Sequence, residues 1–170
     1  MDELELRTFT EEEYHAFFRH YVPDPMMDSS PFTYNHEQIS RSYLYNHGFY
    51  RPDYIHLGAF VGQEAVGSLQ LKRMDQQKHS CEFGIILQND RFKDKGIGSA
   101  AILKLMKIAR DQFGMERMIG DTMRRNKRMI HVFEKLGFSL IETVTNAFEL
   151  PDGLREDRLI YQKYLLEEEG

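Results

Sequence analysis

The sequence predicts a mixed α+β fold: a central mixed, mostly antiparallel sheet in the order β-α-α-β-β-β-α-β-α-β-β. Three observations predict it. Apolar runs between residues 54 and 87 are separated by short polar turns, the pattern of neighbouring antiparallel strands. One long apolar stretch, Ile97 to Phe113, stands between two strand-like segments, so those strands should be parallel. Gly114 and Gly137 close helical patterns at the positions where a left-handed residue stops a helix. At 170 residues the chain predicts one domain, 1–170, with a full core.

Taken in order, Leu4, Leu6 and Thr8 alternate with polar residues and give a short first strand. Thr10-Glu11-Glu12-Glu13 is a capping box that opens a helix. That helix carries Tyr14, Phe17, Phe18 and Tyr21 and is ended by Pro23 and Pro25. Residues 22–33 are a loop by composition. Asn35 caps a second helix with Ile39, Tyr43 and Leu44 on its buried side. Strands follow at Tyr54–Val61, at Ala65–Met74 and around Cys81 to Leu87. After the long helix, Met115–Met123 is strand-like. A helix from Asn126 carries Ile130, Phe133 and Leu136, and Phe138 folds back on its last turn. Ser139–Leu150 and Asp157–Tyr164 read as a closing pair around Pro151-Asp152-Gly153, before a solvated tail of Glu167-Glu168-Glu169.

The chain is organised around residues 81–101, CEFGIILQNDRFKDKGIGSAA. An apolar strand runs through a basic loop into the first turn of a helix. Gly96 and Gly98 lack a Cβ, so a ligand can approach the backbone and positive φ is inexpensive. Lys93 and Lys95 stand at a helix start that already carries partial positive charge. An anion on the free N–H groups of that turn removes the conflict. The same composition also suits a solvated basic loop with glycines for a tight turn.

Composition narrows the classes. Hydrophobic content of 41% and charged content of 29% describe an ordinary globular protein. The formal charge of −5 argues against a nucleic-acid partner. The lone Cys81 cannot form an internal disulfide and predicts a reducing compartment, the cytoplasm. The acidic N-terminal segment has no long apolar run, so neither a signal peptide nor a membrane span is expected there. The seven histidines show no paired metal-ligand spacing, and no metal site is expected.

On these residues the chain resembles the GNAT superfamily of acyl-CoA-dependent N-acyltransferases. Lys93-Asp94-Lys95-Gly96-Ile97-Gly98 occupies the family's Gln/Arg-x-x-Gly-x-Gly/Ala loop, with Lys93 where Gln or Arg is usual. Asn126 followed by Glu134-Lys135-Leu136-Gly137-Phe138 resembles the second family signature. Within the superfamily it looks most like the RimJ/RimL-type branch. The resemblance implies acetyl-CoA as co-substrate and an amine-bearing acceptor, a small molecule or a protein N-terminus. It implies that Lys93, Lys95, Gly96, Ile97, Gly98 and Ser99 hold the pyrophosphate. Ile86, Leu87 and Gln88 would pair with the pantetheine arm, one of their N–H groups polarising the thioester carbonyl. The strand from Met115 would splay away to open the cleft, and Asn126 would contact the arm from the far side.

An ammonium has no lone pair, so the amine must lose a proton first. Glu82 is the candidate base: it lies on the central strand and resembles in position the glutamate of some members. Its alternative is a place on the polar face of the sheet without chemistry. The family's tyrosine acid corresponds to Phe133, which has no proton to give. His131 falls on another face and Tyr161 is a looser substitute. Cys81 reads as a buried strand cysteine rather than a nucleophile. Most of the run Phe32, Tyr34, Tyr43, Tyr45, Phe49, Tyr50 and Tyr54 is expected in the core, with two or three rings lining an acceptor pocket. Substrate choice is expected in residues 22–33, the second helix and the closing strands. The oligomeric state stays open, a homodimer included.

Two other readings compete. Gly96-Ile97-Gly98-Ser99-Ala100-Ala101 fits the G-x-G-x-x-A of a Rossmann unit, with Asp121 near the ribose distance, but the preceding strands form a meander and too little chain follows. A P-loop lacks its Lys-Ser/Thr. Phe133 also motivates a CoA-binding regulatory protein without turnover.

Overall fold

The structure, a computed structural model, describes residues 3–27 and 30–166. Strand β1 (Leu4–Arg7) leads to helices α1 (Glu11–Arg19) and α2 (His36–His47). Strands β2 (Ile55–Val61), β3 (Glu64–Asp75) and β4 (Ser80–Leu87) follow as an antiparallel meander, with β1 paired to β2. A 3-10 turn at Asp90–Phe92 precedes α3 (Ile97–Phe113). Then come β5 (Arg117–Met123), α4 (Lys127–Lys135), β6 (Ser139–Glu149) and β7 (Arg155–Tyr164). The mixed, mostly antiparallel sheet is the one the sequence predicts, and the strands flanking α3 are its parallel pair.

Sheet order is β1-β2-β3-β4-β5-β7-β6, so the last strand lies inside and β6 takes the edge. Burial explains the choice. Strand β7 carries Leu159 and Tyr161, both buried, whereas β6 is exposed along most of its length. One face of the sheet packs on α3 and α4 through Leu69, Leu71, Phe83, Ile102, Leu105, Met118 and Phe133. The other face is covered over its first strands by α1 and α2, through Phe9, Tyr14, Phe17, Ile39 and Phe60.

Local chemistry places the helix ends. Thr10 and Glu13 form the reciprocal capping box, and Arg7 grips Glu13 at 2.7 and 3.0 Å. Gly114 ends α3 at φ 68° and Gly137 follows α4 at φ 83°, both in the left-handed region that favours glycine. Phe138 N–H donates to Phe133 C=O at 2.9 Å, the expected fold-back.

Two expectations need correction. Helix α1 ends at His20, ahead of Tyr21 and the prolines, and Tyr21 packs against Phe17, Phe18 and Phe32 from the following turn. Leu44 is 55% exposed. It lies five residues beyond Ile39, about 140° around the helix, so the two cannot share a buried stripe. The Glu167–Glu169 tail and residues 28–29 of the loop lie outside the described residues.

Candidate active site

The site begins where two strands part. Strand β4 pairs with β5 only from Ser80↔Arg117 to Glu82↔Ile119. Beyond that pair β4 runs on to Leu87 and β5 to Met123 without touching. From Phe83 onward β4 has a partner on one side, so alternate backbone groups face a gap, like a sheet edge. Two cavities meet along this edge, sharing Met27, Ile85, Ile86 and Met129 as walls.

The first cavity, about 330 Å³, lies between the end of β4, the basic loop and α4. Ile86, Leu87, Lys93, Gly96, Ile97, Gly98, Ser99 and Asn126 line it together. The first intrahelical bond of α3 joins Ala100 N–H to Gly96 C=O at 3.0 Å, and no side chain caps the helix. The amides of Ile97, Gly98 and Ser99 are therefore donors in search of an acceptor. Gly96 has φ 77°, a left-handed conformation that favours glycine. Gly98 is different: its backbone is helical, and a Cβ there would meet nothing within 4 Å. The fold does not require glycine at 98, but a ligand resting on this turn would. Arg128, His131 and Lys135 of α4 add a basic stripe on the opposite wall. Free amides, an open glycine and basic side chains fit a diphosphate.

Lys93 is less available than expected. Its side chain is 8% exposed, and Nζ sits between Asp90 at 2.5 Å and Asp24 at 3.2 Å. Arg128 spans Asp24 at 3.1 Å and Asp94 at 3.0 Å, so α4 is tied to the basic loop and to the loop after α1. Lys95 is exposed and stands off the wall. Gln88 is a correction: its N–H donates to Val66 C=O at 2.9 Å and its Nε2 to Phe17 C=O at 3.0 Å. It is buried, and its N–H cannot serve a pantetheine arm. Asn126 caps α4, its Oδ1 accepting from Met129 N–H at 3.1 Å, which leaves its Nδ2 group for a ligand.

The second cavity, about 490 Å³, opens between β3, β4, β5 and the first two helices. Tyr14, Ser42, Asn46, His56, Ser68 and Gln70 give it a hydrogen-bonding floor. Tyr14 Oη lies 2.7 Å from Ser42 Oγ, and Asn46 Nδ2 donates to Tyr14 Oη at 3.2 Å. Burial raises the Tyr14 phenol above its ordinary range, against the opposing pull of these bonds. Burial, with the neighbouring His47, drives His56 down to about 3, so this imidazole is neutral. None of the seven aromatic residues expected to supply a few pocket rings lines either cavity; Tyr14, Phe18, Tyr21, Phe83, Phe92 and Phe148 do so instead.

Glu82 stands at the last paired position before the strands part, and its carboxylate is held by Arg73. It lies off the walls of both cavities. Phe133 is fully buried, stacked on Tyr161 with ring centroids 4.5 Å apart. That removes both from the cavities, while His131, expected on another face, lies on the wall of the first. Burial pushes the Cys81 thiol up to about 12, which makes it inert. Among the described residues no set of three or more potential ligands gathers for a metal ion. No described helix is long and apolar enough to cross a membrane.

Comparison with known proteins supplies the family and the fold. A family profile described as an acetyltransferase (GNAT) domain matches residues 3–139. The chain belongs to the GNAT acetyltransferase family. GNAT acetyltransferases use acetyl-CoA as co-substrate, and the loop at Lys93–Ser99 lies inside the matched span. Only the end of the sheet, β6 and β7, falls almost wholly beyond it. Among curated proteins there is no match. Solved structures share the fold at low identity. A chimera of the spermidine N-acetyltransferase SpeG of Vibrio cholerae with hSSAT is 15% identical, with TM-score 0.83 and 95% of each chain covered. A putative acetyltransferase from T. thermophilus is 21% identical, with TM-score 0.76, covering 97% of this chain and 87% of that one. A GNAT-family acetyltransferase from Streptococcus pneumoniae is 20% identical, with TM-score 0.73 over 95% and 99%.

The sequence reading missed Arg128, Lys135 and the polar floor. The first two had a signal: with His131 they fall at i, i+3 and i+7 of one helix face. The floor had no local motif, since its residues come from α1, α2, β2 and β3.

Proposed function

We propose that this protein transfers the acetyl group of acetyl-CoA to a primary amine by direct attack, with both substrates bound at once. The parting of β4 from β5 carries the reading, because it joins an anion-binding cavity to a polar one along a single open strand edge. In it the amides of Ile97 to Ser99, with Arg128, hold the diphosphate. The open edge of β4 at Ile86 and Leu87 aligns the pantetheine arm, and one N–H there polarises the thioester carbonyl. The amine nitrogen forms its bond to the carbonyl carbon, the C–S bond breaks and the thiolate departs. Asn126 Nδ2 steadies the arm. Glu82 is kept as a base only where Arg73 releases it.

The second cavity takes the acceptor. Among its described lining residues the one carboxylate, Asp121, is paired with Arg158 at 2.6 Å, and Lys72 adds a positive charge. This balance favours an amine on a neutral or carboxylate-bearing body over a polycation such as the spermidine of the SpeG neighbours. A protein N-terminus fits that description, and with it the RimJ/RimL-type branch. A cytoplasmic location and a homodimer belong to the same proposal.

The test is thiol release from acetyl-CoA across amine classes: spermidine, an aminoglycoside, amino-acid analogues and peptides with free N-termini. Acetylation of neutral-bodied amines ahead of spermidine is expected. Tight acetyl-CoA binding with no turnover on any class would favour the CoA-binding regulatory reading, which the burial of Phe133 supports.

A further inference from the structure

One set of bonds in the second cavity is not used by this mechanism. His47, half-buried at the end of α2, places Nε2 2.8 Å from His56 Nδ1. His56, 4% exposed on β2, places Nε2 2.6 Å from Ser68 Oγ on β3. Ser68 is the cross-strand partner of Ile86, so the two share a face. Ile86 lines both cavities. The chain of three groups therefore runs from partly solvated α2 to the place where the cavities join.

We infer that Ser68, His56 and His47 form the proton relay that deprotonates the acceptor amine, with Ser68 as the group that touches it. The inference rests on the acetyltransferase reading above. A neutral imidazole has one N–H and one bare nitrogen. With the N–H of His56 on Nδ1, it donates to His47 Nε2, and its Nε2 accepts from Ser68. The lone pairs of Ser68 Oγ then face the pocket. The ammonium passes one proton to Ser68 Oγ as Ser68 passes its own to His56 Nε2 and His56 passes its Nδ1 proton to His47. His47 becomes the imidazolium and releases a proton from Nδ1 to solvent. The amine keeps the freed lone pair for attack. Its second proton, lost as the N–C bond forms, goes to the departing thiolate. After product leaves, water takes the outward Ser68 proton and solvent reprotonates His47, restoring the first tautomers.

The surroundings suit the assignment. Burial keeps His56 uncharged, so it hands protons on without holding one. Burial also lowers His47, which helps it release its proton. The titratable groups facing the pair are Tyr14 from α1 and Tyr43 from α2, with Tyr54 behind Asn46 at the start of β2. No carboxylate pairs with either ring among the described residues, unlike the Arg73-bound Glu82.

The test compares the whole protein with Ser68→Ala, Ser68→Thr, His47→Gln and Glu82→Gln. Ser68→Ala is expected to lower kcat/KM about 100-fold with acetyl-CoA affinity unchanged and a melting temperature lowered by a few degrees, since His56 Nε2 loses its buried partner, and Ser68→Thr to recover part of both losses. His47→Gln is expected to abolish the acidic limb of the kcat/KM profile, and Glu82→Gln to leave that limb in place. An unmoved limb in His47→Gln, its loss in Glu82→Gln, or acetylated Ser68 trapped during turnover would overturn the relay. Nitrogen-15 NMR of the histidines reads it without turnover. The Nδ1–H tautomer of His56, coupled to a titration of His47, is expected; a His56 that charges at its ordinary pH would refute it. Absence of turnover in the wild type, with those NMR signatures present, would count against the acetyltransferase reading and not against the hydrogen-bonded chain.

Discussion

The two cavities are built in opposite ways. The first centres on backbone, with a bare helix turn, an open glycine and a strand edge within residues 85–99, and is walled by α4 and by Tyr21, Asp24 and Met27. The second is made of side chains brought from α1, α2, β2, β3, β4 and β5. A backbone site recognises what every CoA thioester shares, while a side-chain site can be rebuilt without disturbing the fold. The difference predicts that the first cavity responds to Cβ atoms and charge, and the second to pH.

The largest effect should come from Gly96→Glu. It forces a side chain into the left-handed region and sets a carboxylate where the diphosphate belongs. Acetyl-CoA affinity, measured by calorimetry, should fall at least about 100-fold, or ~3 kcal/mol. Next is acid stability, which should belong to the second cavity. His56 has its folded pKa lowered to about 3 from an ordinary 6.5, so below 6.5 the unfolded chain binds the proton that the native one refuses. Stability should therefore decline as pH falls from 6.5 toward 3, and His56→Gln should flatten that decline in urea titrations. If the slope is unchanged, buried His56 is not the source. Arg128→Ala should weaken acetyl-CoA about 10-fold and reduce the salt dependence of binding. The smallest change is the sharpest. Gly98→Ala should raise stability by up to about 1 kcal/mol, since helical alanine outranks glycine and nothing obstructs its Cβ. It should weaken acetyl-CoA all the same. A variant that binds as well as the wild type would show the open glycine to be incidental.

The same contrast explains what the sequence made legible. Capping chemistry at Thr10 and Asn126, the stop at Gly114 and the α3 boundaries are local, and each is readable from adjacent residues. So is the loop from Lys93 to Ser99. The engagement of Lys93 with Asp24 is not, because its partner lies across the fold. Gln88 looked like a strand end open to a ligand, but α1 claims its side chain. Ser68 and His56 sit on neighbouring strands with no mark in their own segments. Polar residues at 56, 68 and 70 inside apolar strands were the one available hint, since a buried polar group needs a partner.

Arg128 holds Asp94 of the glycine loop with one edge of its guanidinium and Asp24, from the segment beside Met27, with another. Met27 belongs to both cavities. An anion arriving at the helix turn would compete for that guanidinium and loosen its hold on Asp24. Lys93 keeps its own hold on Asp24 at 3.2 Å, so the strap would slacken without parting, and coenzyme docking would be felt at the wall the two cavities share. Linkage requires the converse as well: a ligand in the second cavity that favours the slackened strap would tighten the grip on an anion in the first.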